Sequence, residues 1–322
     1  MTDAHESCEW LVLGNGSVGM SLAYHLQSAG GQVRVLDRSG KRARKTLVFN
    51  SFGEPTSPIH WECSFGLPLQ PPDIQRVLVA TKTFSVGIAL GPLIKHLTPG
   101  SRVYFFQNGL DFLPRELLPP GVESLFVVNP GFSVNRIDHR TVEQTGYAPM
   151  LVGDLVGTVQ PPPRVQSDLE QLRAAGIDLS WTSGIQCQRW KKLAINAVIN
   201  PLTVIHELTN GELATHSEAR VMIDRMCGEC VRIMESLGHS FSTDELRTSV
   251  LGVLELTARN RSSMLQDYHA KRSRNELDHI MMPFIKQARS QAVDCPTLEA
   301  VHRRVFDLFS RASSIESGPE QI

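Results

Sequence analysis

No apolar run in this 322-residue chain approaches the length needed to span a bilayer, and neither sign of charge dominates, with 32 Lys plus Arg against 33 Asp plus Glu. The first absence leaves no membrane segment. The second argues against nucleic acid or an anionic membrane surface as partner. Cysteine is sparse and scattered, at Cys8, Cys63, Cys187, Cys227, Cys230 and Cys295, which suits reduced thiols better than a disulfide framework. The opening "MTDAHESCEW" has neither the basic nor the apolar part of a secretory signal, so a cytoplasmic location is expected. No internal repeat or low-complexity tract is present. No histidine with a paired carboxylate, no Ser/Tyr/Lys array and no zinc-ligand cluster stands out, so those catalytic arrangements are disfavoured and no metal is expected. The one C-x-x-C, Cys227 with Cys230, lies inside the helical pattern "EARVMIDRMCGECVRIMESLG" and is expected to pack rather than to bind or react.

What is present is ample core material, with 41% hydrophobic and 20% charged residues. A chain of this length is expected to form two domains. The first half alternates strand-like and helix-like segments: "EWLVLG", the helix "SVGMSLAYHLQSAG", "QVRVLD", then strands at "RVLVAT", "RVYFFQ" and "SLFVVN", with a helix around Val86 to His96. This alternation predicts an α/β domain with a mostly parallel, doubly wound sheet. Between Lys45 and Pro72 the pattern fits a hairpin or an insertion, and a short β segment is expected from Thr141 to Gly153. Past Trp181 only helices are read: Gln188 to Ile205, Ser217 to Leu237, Thr243 to Asn260, Asn275 to Gln291 and Thr297 to Arg311. The expected division is therefore residues 1–182, an α/β dinucleotide-binding domain, and residues 183–322, all helical.

"LGNGSVG" sets Gly14, Gly16 and Gly19 in G-x-G-x-x-G spacing after a strand and at the start of a helix. The loop Gly14, Asn15, Gly16, Ser17, Val18 and Gly19 is thereby predicted to hold a dinucleotide pyrophosphate in a Rossmann-type fold. After the second strand Asp37 points to NAD and Arg38 to NADP. The basic run Arg38, Lys41, Arg42, Arg44 and Lys45 tips the expectation to NADP(H). Lys82 and Asn108 follow strand ends, where open α/β sheets bind ligands.

"KKLAINAVIN" raises a further question. At helical spacing Lys192, Asn196 and Asn200 share one face of a helix that is otherwise apolar. Such a helix is normally buried, and buried polar groups need partners. Pro201 is expected to bend or interrupt this helix after Asn200.

With "RWKKLAINAVINPLT", "TNGEL" and "RSSMLQDYHAKRSRNELD", the chain resembles the ketopantoate reductase family over nearly its whole length. The resemblance implies a Rossmann domain joined to a helical domain of the 6-phosphogluconate dehydrogenase C-terminal type. It implies NADPH-dependent reduction of the small 2-oxo acid 2-dehydropantoate to (R)-pantoate, on the way to pantothenate and coenzyme A. It makes Lys192 the proton donor and brings Glu276 to the cofactor and the lysine. Asn196, Asn200, Asn210 and Ser263 would contact substrate, Asn108 would lie between substrate and cofactor, and the glycine loop, Arg38 and Lys82 would lie on the cofactor side. Two stretches depart from the family pattern: Met281, Met282 and Pro283 after "NELD", and Phe126 to Gly146, in which no residue for the nicotinamide side can be placed. The alternatives carried forward are a reductase of another branched 2-oxo acid and a non-catalytic dinucleotide sensor. The long helices also offer faces for a homodimer, and the oligomeric state stays open.

Overall fold

The computed structural model describes residues 10–39, 41, 43–50, 59–65, 74–110, 117–129, 133–146, 148–272 and 275–314. The chain parts into two compact units, Met1–Gln107 with Phe112–Gln188, and Asn108–Asp111 with Arg189–Ile322.

In the first unit the order is β1 (Trp10–Leu13), α1 (Ser17–Ser28), β2 (Val33–Leu36), β3 (Ala43–Asn50), β4 (Ile59–Phe65), β5 (Ile74–Val79) and α2 (Val86–Leu90). A 3-10 stretch, Gly91–His96, follows. Then come β6 (Leu97–Phe105), β7 (Glu123–Val128), β8 (Ser133–Arg136), β9 (Thr141–Gly146), β10 (Met150–Gly153), α3 (Pro163–Ala174) and β11 (Leu179–Trp181). All described strands join one sheet in the order β11-β10-β7-β6-β5-β1-β2-β4-β3-β9-β8.

β1, β2, β5, β6 and β7 pair in parallel, and β1 and β2 are buried at every position. Burial on both faces is what a short continuous apolar run such as "WLVL" predicts. Leu22 and Leu26 of α1 and Leu169 and Leu172 of α3 cover one face, whereas Val86 and Leu90 of α2 lie in the cluster on the other. The chain leaves β1 for β2 and β4 on one side and returns to β5 on the other, so the carboxyl ends of β1 and β5 flank the topological switch point where open sheets of this type bind ligands.

The irregular stretch after Lys45 contains a hairpin, β3 antiparallel to β4 from Ala43↔Phe65 to Phe49↔Ile59, with residues 51–58 and 66–73 outside the described set. β9 adds in parallel to β3, and β8 pairs antiparallel with β9 at the sheet edge. Among the described residues of the sheet unit one carboxylate is entirely buried. Asp168 of α3 accepts from Arg102 and, at 2.8 Å, from Tyr104 Oη, and pairs with Arg76 at 2.8 Å.

The second unit holds α4 (Ile185–His206), α5 (Asn210–Thr215), α6 (Ser217–Ser236), α7 (Thr243–Leu256), α8 (Ser263–His269), α9 (Leu277–Ser290) and α10 (Pro296–Ser314) around one apolar core. α5 and α8 were not read from sequence. With 6 and 7 residues they are too short to show a period and depend on their caps. Thr209 with Glu212, and Ser242 with Glu245, form capping boxes, and Ser262 caps α8. The buried Glu229 of α6 accepts from the amides of Thr297 and Leu298 at 2.9 and 2.8 Å and so caps α10 from another helix.

Cys227 and Cys230 pack in this core, where burial pushes the Cys227 thiol up to about 12 and that of Cys230 well above its ordinary value. Neither is a thiolate at neutral pH. Met281 and Pro283 are likewise buried, beside Phe284 in a T-shaped contact with Trp190, so this departure from the family pattern is a feature of helix packing. α4 continues through Pro201 to His206, as the helical reading to Ile205 expects, so of the two effects open to the proline, a bend or an interruption, the interruption does not occur. Proline removes only one hydrogen bond, and the burial of Leu202 and Val204 holds the last turn in place.

Candidate active site

The side chains singled out in the sequence fall into two groups, one in each unit. In the first, Gly14 leaves β1 at φ +114°, a conformation side chains rarely adopt, and its amide donates to Leu36 O at 2.9 Å. At Gly19 a Cβ would stand 2.1 Å from Gly14 O, so only glycine lets α1 close on the loop. Gly16 differs. A Cβ there would meet nothing nearer than Ala80 O at 3.9 Å, so the protein itself has room for a side chain. The open space beside Gly16 fits a ligand that must approach the backbone.

α1 begins with no capping side chain and no acid in its first turn. The amides of Ser17, Val18 and Gly19 thus meet no side-chain cap at the positive end of the helix, an arrangement suited to phosphate. Arg136 of β8 donates to Asn15 O, which sets a further cation beside this loop. Gln107 Nε2 donates to Val79 O and Thr81 O, both at 3.0 Å, while Gln107 Oε1 and Thr81 Oγ1 are buried without hydrogen-bond partners among the described residues. Arg136, Thr81 and Gln107 belong to no motif in the sequence. Thr81 and Gln107 directly precede the chosen Lys82 and Asn108, but nothing local pairs Arg136 with a loop 121 positions earlier.

At the end of β2 the Asp37 carboxylate is already engaged. Its Oδ1 accepts from Ser39 N at 2.9 Å and Ser39 Oγ at 2.6 Å, and its Oδ2 accepts from Lys45 Nζ at 3.2 Å. Burial would raise its pKa, but the bonds from Ser39 and Lys45 outweigh that and hold it below the usual carboxylate range. Lys45 Nζ also stands 3.9 Å from the centroid of the Phe65 ring. Arg38 and Lys82 are exposed.

In the second unit, α4 presents Lys192 and Asn196 half-buried and Asn200 buried. Burial pushes the Lys192 ammonium down to about 8, while the charge of Glu276 works the other way. Glu276 itself is buried, at the start of α9. The two effects oppose each other, and the Lys192 proton is released more readily than that of an ordinary lysine.

Thr203 Oγ1 donates to Asn200 O at 2.7 Å and lies 2.6 Å from Ser262 Oγ, which ties the start of α8 to the Asn200 turn. Ser263, the residue carried over from the family pattern, follows directly and is exposed. Arg189 donates to Gly109 O at 3.0 Å and Leu110 O at 3.2 Å, which fixes the loop after Asn108 to α4. Asn210 makes its contacts with the end of α7. Its Nδ2 donates to Thr257 Oγ1 at 2.7 Å and its amide to Asn260 O, while its buried Oδ1 lacks a hydrogen-bond partner among the described residues. In the stretch Phe126 to Gly146, residues 130–132 lie outside the described set.

Comparison with known proteins covers both units. Residues 10–157 match the family model "Ketopantoate reductase PanE/ApbA", and residues 184–307 match "Ketopantoate reductase PanE/ApbA C terminal". The 2-dehydropantoate 2-reductase of Yersinia pestis is 30% identical over 240 residues, 74% of this chain and 75% of that protein. Among solved structures, a dimeric ketopantoate reductase from Staphylococcus aureus superposes with a TM-score of 0.77 at 18% identity, covering 94% of this chain and 99% of the other. D-mandelate dehydrogenase with NADH and anilino(oxo)acetate gives 0.79 at 15% identity over 94% and 98%. At these identities the two structures bear on fold alone.

Proposed function

The chain belongs to the ketopantoate reductase family, and from that premise we propose that it reduces 2-dehydropantoate to (R)-pantoate with NADPH. In this reading the first unit binds the dinucleotide and the second supplies substrate contacts and the acid. The observation that carries it is Lys192, whose ammonium is brought to about 8 by burial against the pull of Glu276. A bound NADPH supplies the hydride that adds to the keto carbon. As that bond forms, the carbonyl electron pair moves onto oxygen, and Lys192 Nζ stabilises the growing charge and donates the proton. Asn196, Asn200, Asn210 and Ser263 hold the carboxylate and hydroxyl of the substrate without changing protonation. The unpartnered Oδ1 of Asn210 is an acceptor suited to a substrate hydroxyl. Glu276 keeps the lysine charged, and Asn108 bridges substrate and cofactor.

The preference for NADPH rests on Asp37. A carboxylate already bonded to Ser39 and Lys45 is a poor acceptor for a ribose 2′-hydroxyl, while Arg38 and Lys45 favour a 2′-phosphate. Gly14 to Gly19 and Lys82 complete the cofactor side. Cytoplasmic location and a homodimer belong to the same proposal. The test is NADPH oxidation with 2-dehydropantoate beside NADH and a panel of other 2-oxo acids. NADPH-dependent turnover highest on 2-dehydropantoate is expected. Faster turnover on another 2-oxo acid would replace the substrate, and cofactor binding without turnover on any of them would favour a sensor.

A further inference from the structure

We propose that His206, His216 and Glu218 form a binding site for a divalent transition-metal ion of the zinc class on the helical unit. One ligand atom from each of the three lies within 4.8 Å of the others. The two imidazole ring centroids are 4.7 Å apart. His206 is the last residue of α4, His216 caps α6, and Glu218 stands in the first turn of α6, so two helix ends hold the set with the short α5 between them.

A second observation points the same way. His206 Nε2 is buried and meets no hydrogen-bond partner among the described residues. A buried polar atom in that condition costs free energy unless something supplies the missing bond. Burial first, and then His216 and Arg304, hold the imidazole of His206 below its ordinary pKa against the opposing charge of Glu218. A neutral imidazole is the form that ligates metals, and the unpartnered Nε2 of His206 is an atom that such a bond would satisfy.

Two imidazoles and a carboxylate are a donor set that zinc accepts, leaving a fourth position for water. Bonds of about 2.0–2.2 Å bring such ligand atoms well inside that 4.8 Å limit. Glu218 is exposed and free to swing inward by rotation of its side chain. His216 Nδ1 accepts from Ala219 N at 3.3 Å. Binding through Nδ1 displaces that contact, and binding through Nε2 puts the proton on Nδ1 and breaks it, so metal replaces the cap in either case. Arg304 and the positive end of α6 oppose a cation, which sets the affinity below that of a buried structural zinc site. The ligands have no regular spacing in sequence, which is why no zinc cluster was expected there.

The experiment uses the full chain, stripped with chelator and titrated with Zn2+ by calorimetry, with Tm followed in parallel. One ion per chain and a Zn2+-dependent rise in Tm are expected. His206→Gln and His216→Asn should each weaken binding by at least about ten-fold, since altering even the outer partners of a metal site commonly does so. Glu218→Gln should weaken it less. Co2+ should give the visible bands of nitrogen and oxygen ligation with no thiolate charge-transfer band, which separates this site from the cysteines. The Tm of each variant in EDTA reports folding, and if a histidine variant fails to fold, the exposed Glu218 decides. Absence of one-to-one binding by the unmodified chain, or undiminished affinity in the folded variants, overturns the proposal.

Discussion

Asp168 in the sheet unit and Lys192 in the helical unit are both charged side chains withdrawn from water, and they are treated in opposite ways. Asp168 is surrounded by donors: Arg102, Arg76 and the hydroxyl of Tyr104. Burial would lower the pKa of Arg102, but its bond and attraction to Asp168 more than reverse that, and burial beside Asp168 pushes Tyr104 well above the usual range. None of these protons is available near neutrality. Around Lys192 the balance is reversed, because burial outweighs the attraction of Glu276 and the proton comes within reach at about pH 8. A charge compensated beyond need serves the fold, and one compensated short of need is suited to proton transfer.

That contrast breaks most directly at Lys192. Lys192→Ala should lower turnover by about 10²–10⁴-fold, the usual contribution of a positioned acid, while cofactor binding measured by NADPH fluorescence is kept. Asp168→Ala should do the reverse. It leaves the buried guanidinium of Arg102 and the half-buried one of Arg76 uncompensated and should cost about 3–5 kcal/mol, read from the denaturant midpoint, with turnover of the surviving folded fraction little changed.

The pH profile sharpens the comparison. Lys192 carries its proton below about 8 and loses it above, so reductive kcat should be level at lower pH and fall as pH rises through that value. Because Glu276 is what raises the lysine, Glu276→Gln should move the break to lower pH. The smallest effect is expected at Lys45. Lys45→Met releases one oxygen of Asp37 and should shift the NADPH to NADH preference toward NADH by about ten-fold or less, in line with the modest worth of a partly exposed ion pair.

Much of this was legible in the sequence, and for identifiable reasons. β1, α1 and β2 declared themselves by period and by glycine spacing, and Lys192, Asn196 and Asn200 by their repeat of four on an apolar helix. Asp168 was hidden because the segment "VQSDLEQLRAAG" shows a helix but nothing that marks one of its polar residues as buried, and only the sheet brings Arg102, 66 positions away, against it. β8 was hidden because "SVNR" has almost no apolar content and gains its place by pairing with β9. The tethering of Asp37 by Lys45 needed the turn after β2 to fold back, so the sequence offered conflicting signs for the cofactor where the structure has one engaged carboxylate.

Glu229 has a bearing on the order in which the helical unit assembles. The first turn of α10 takes its cap from a residue 68 positions earlier, on α6. α10 therefore has no cap for its Thr297 and Leu298 amides until α6 has docked, and those two amides should gain protection from hydrogen exchange together with the α6 core rather than with their own helix.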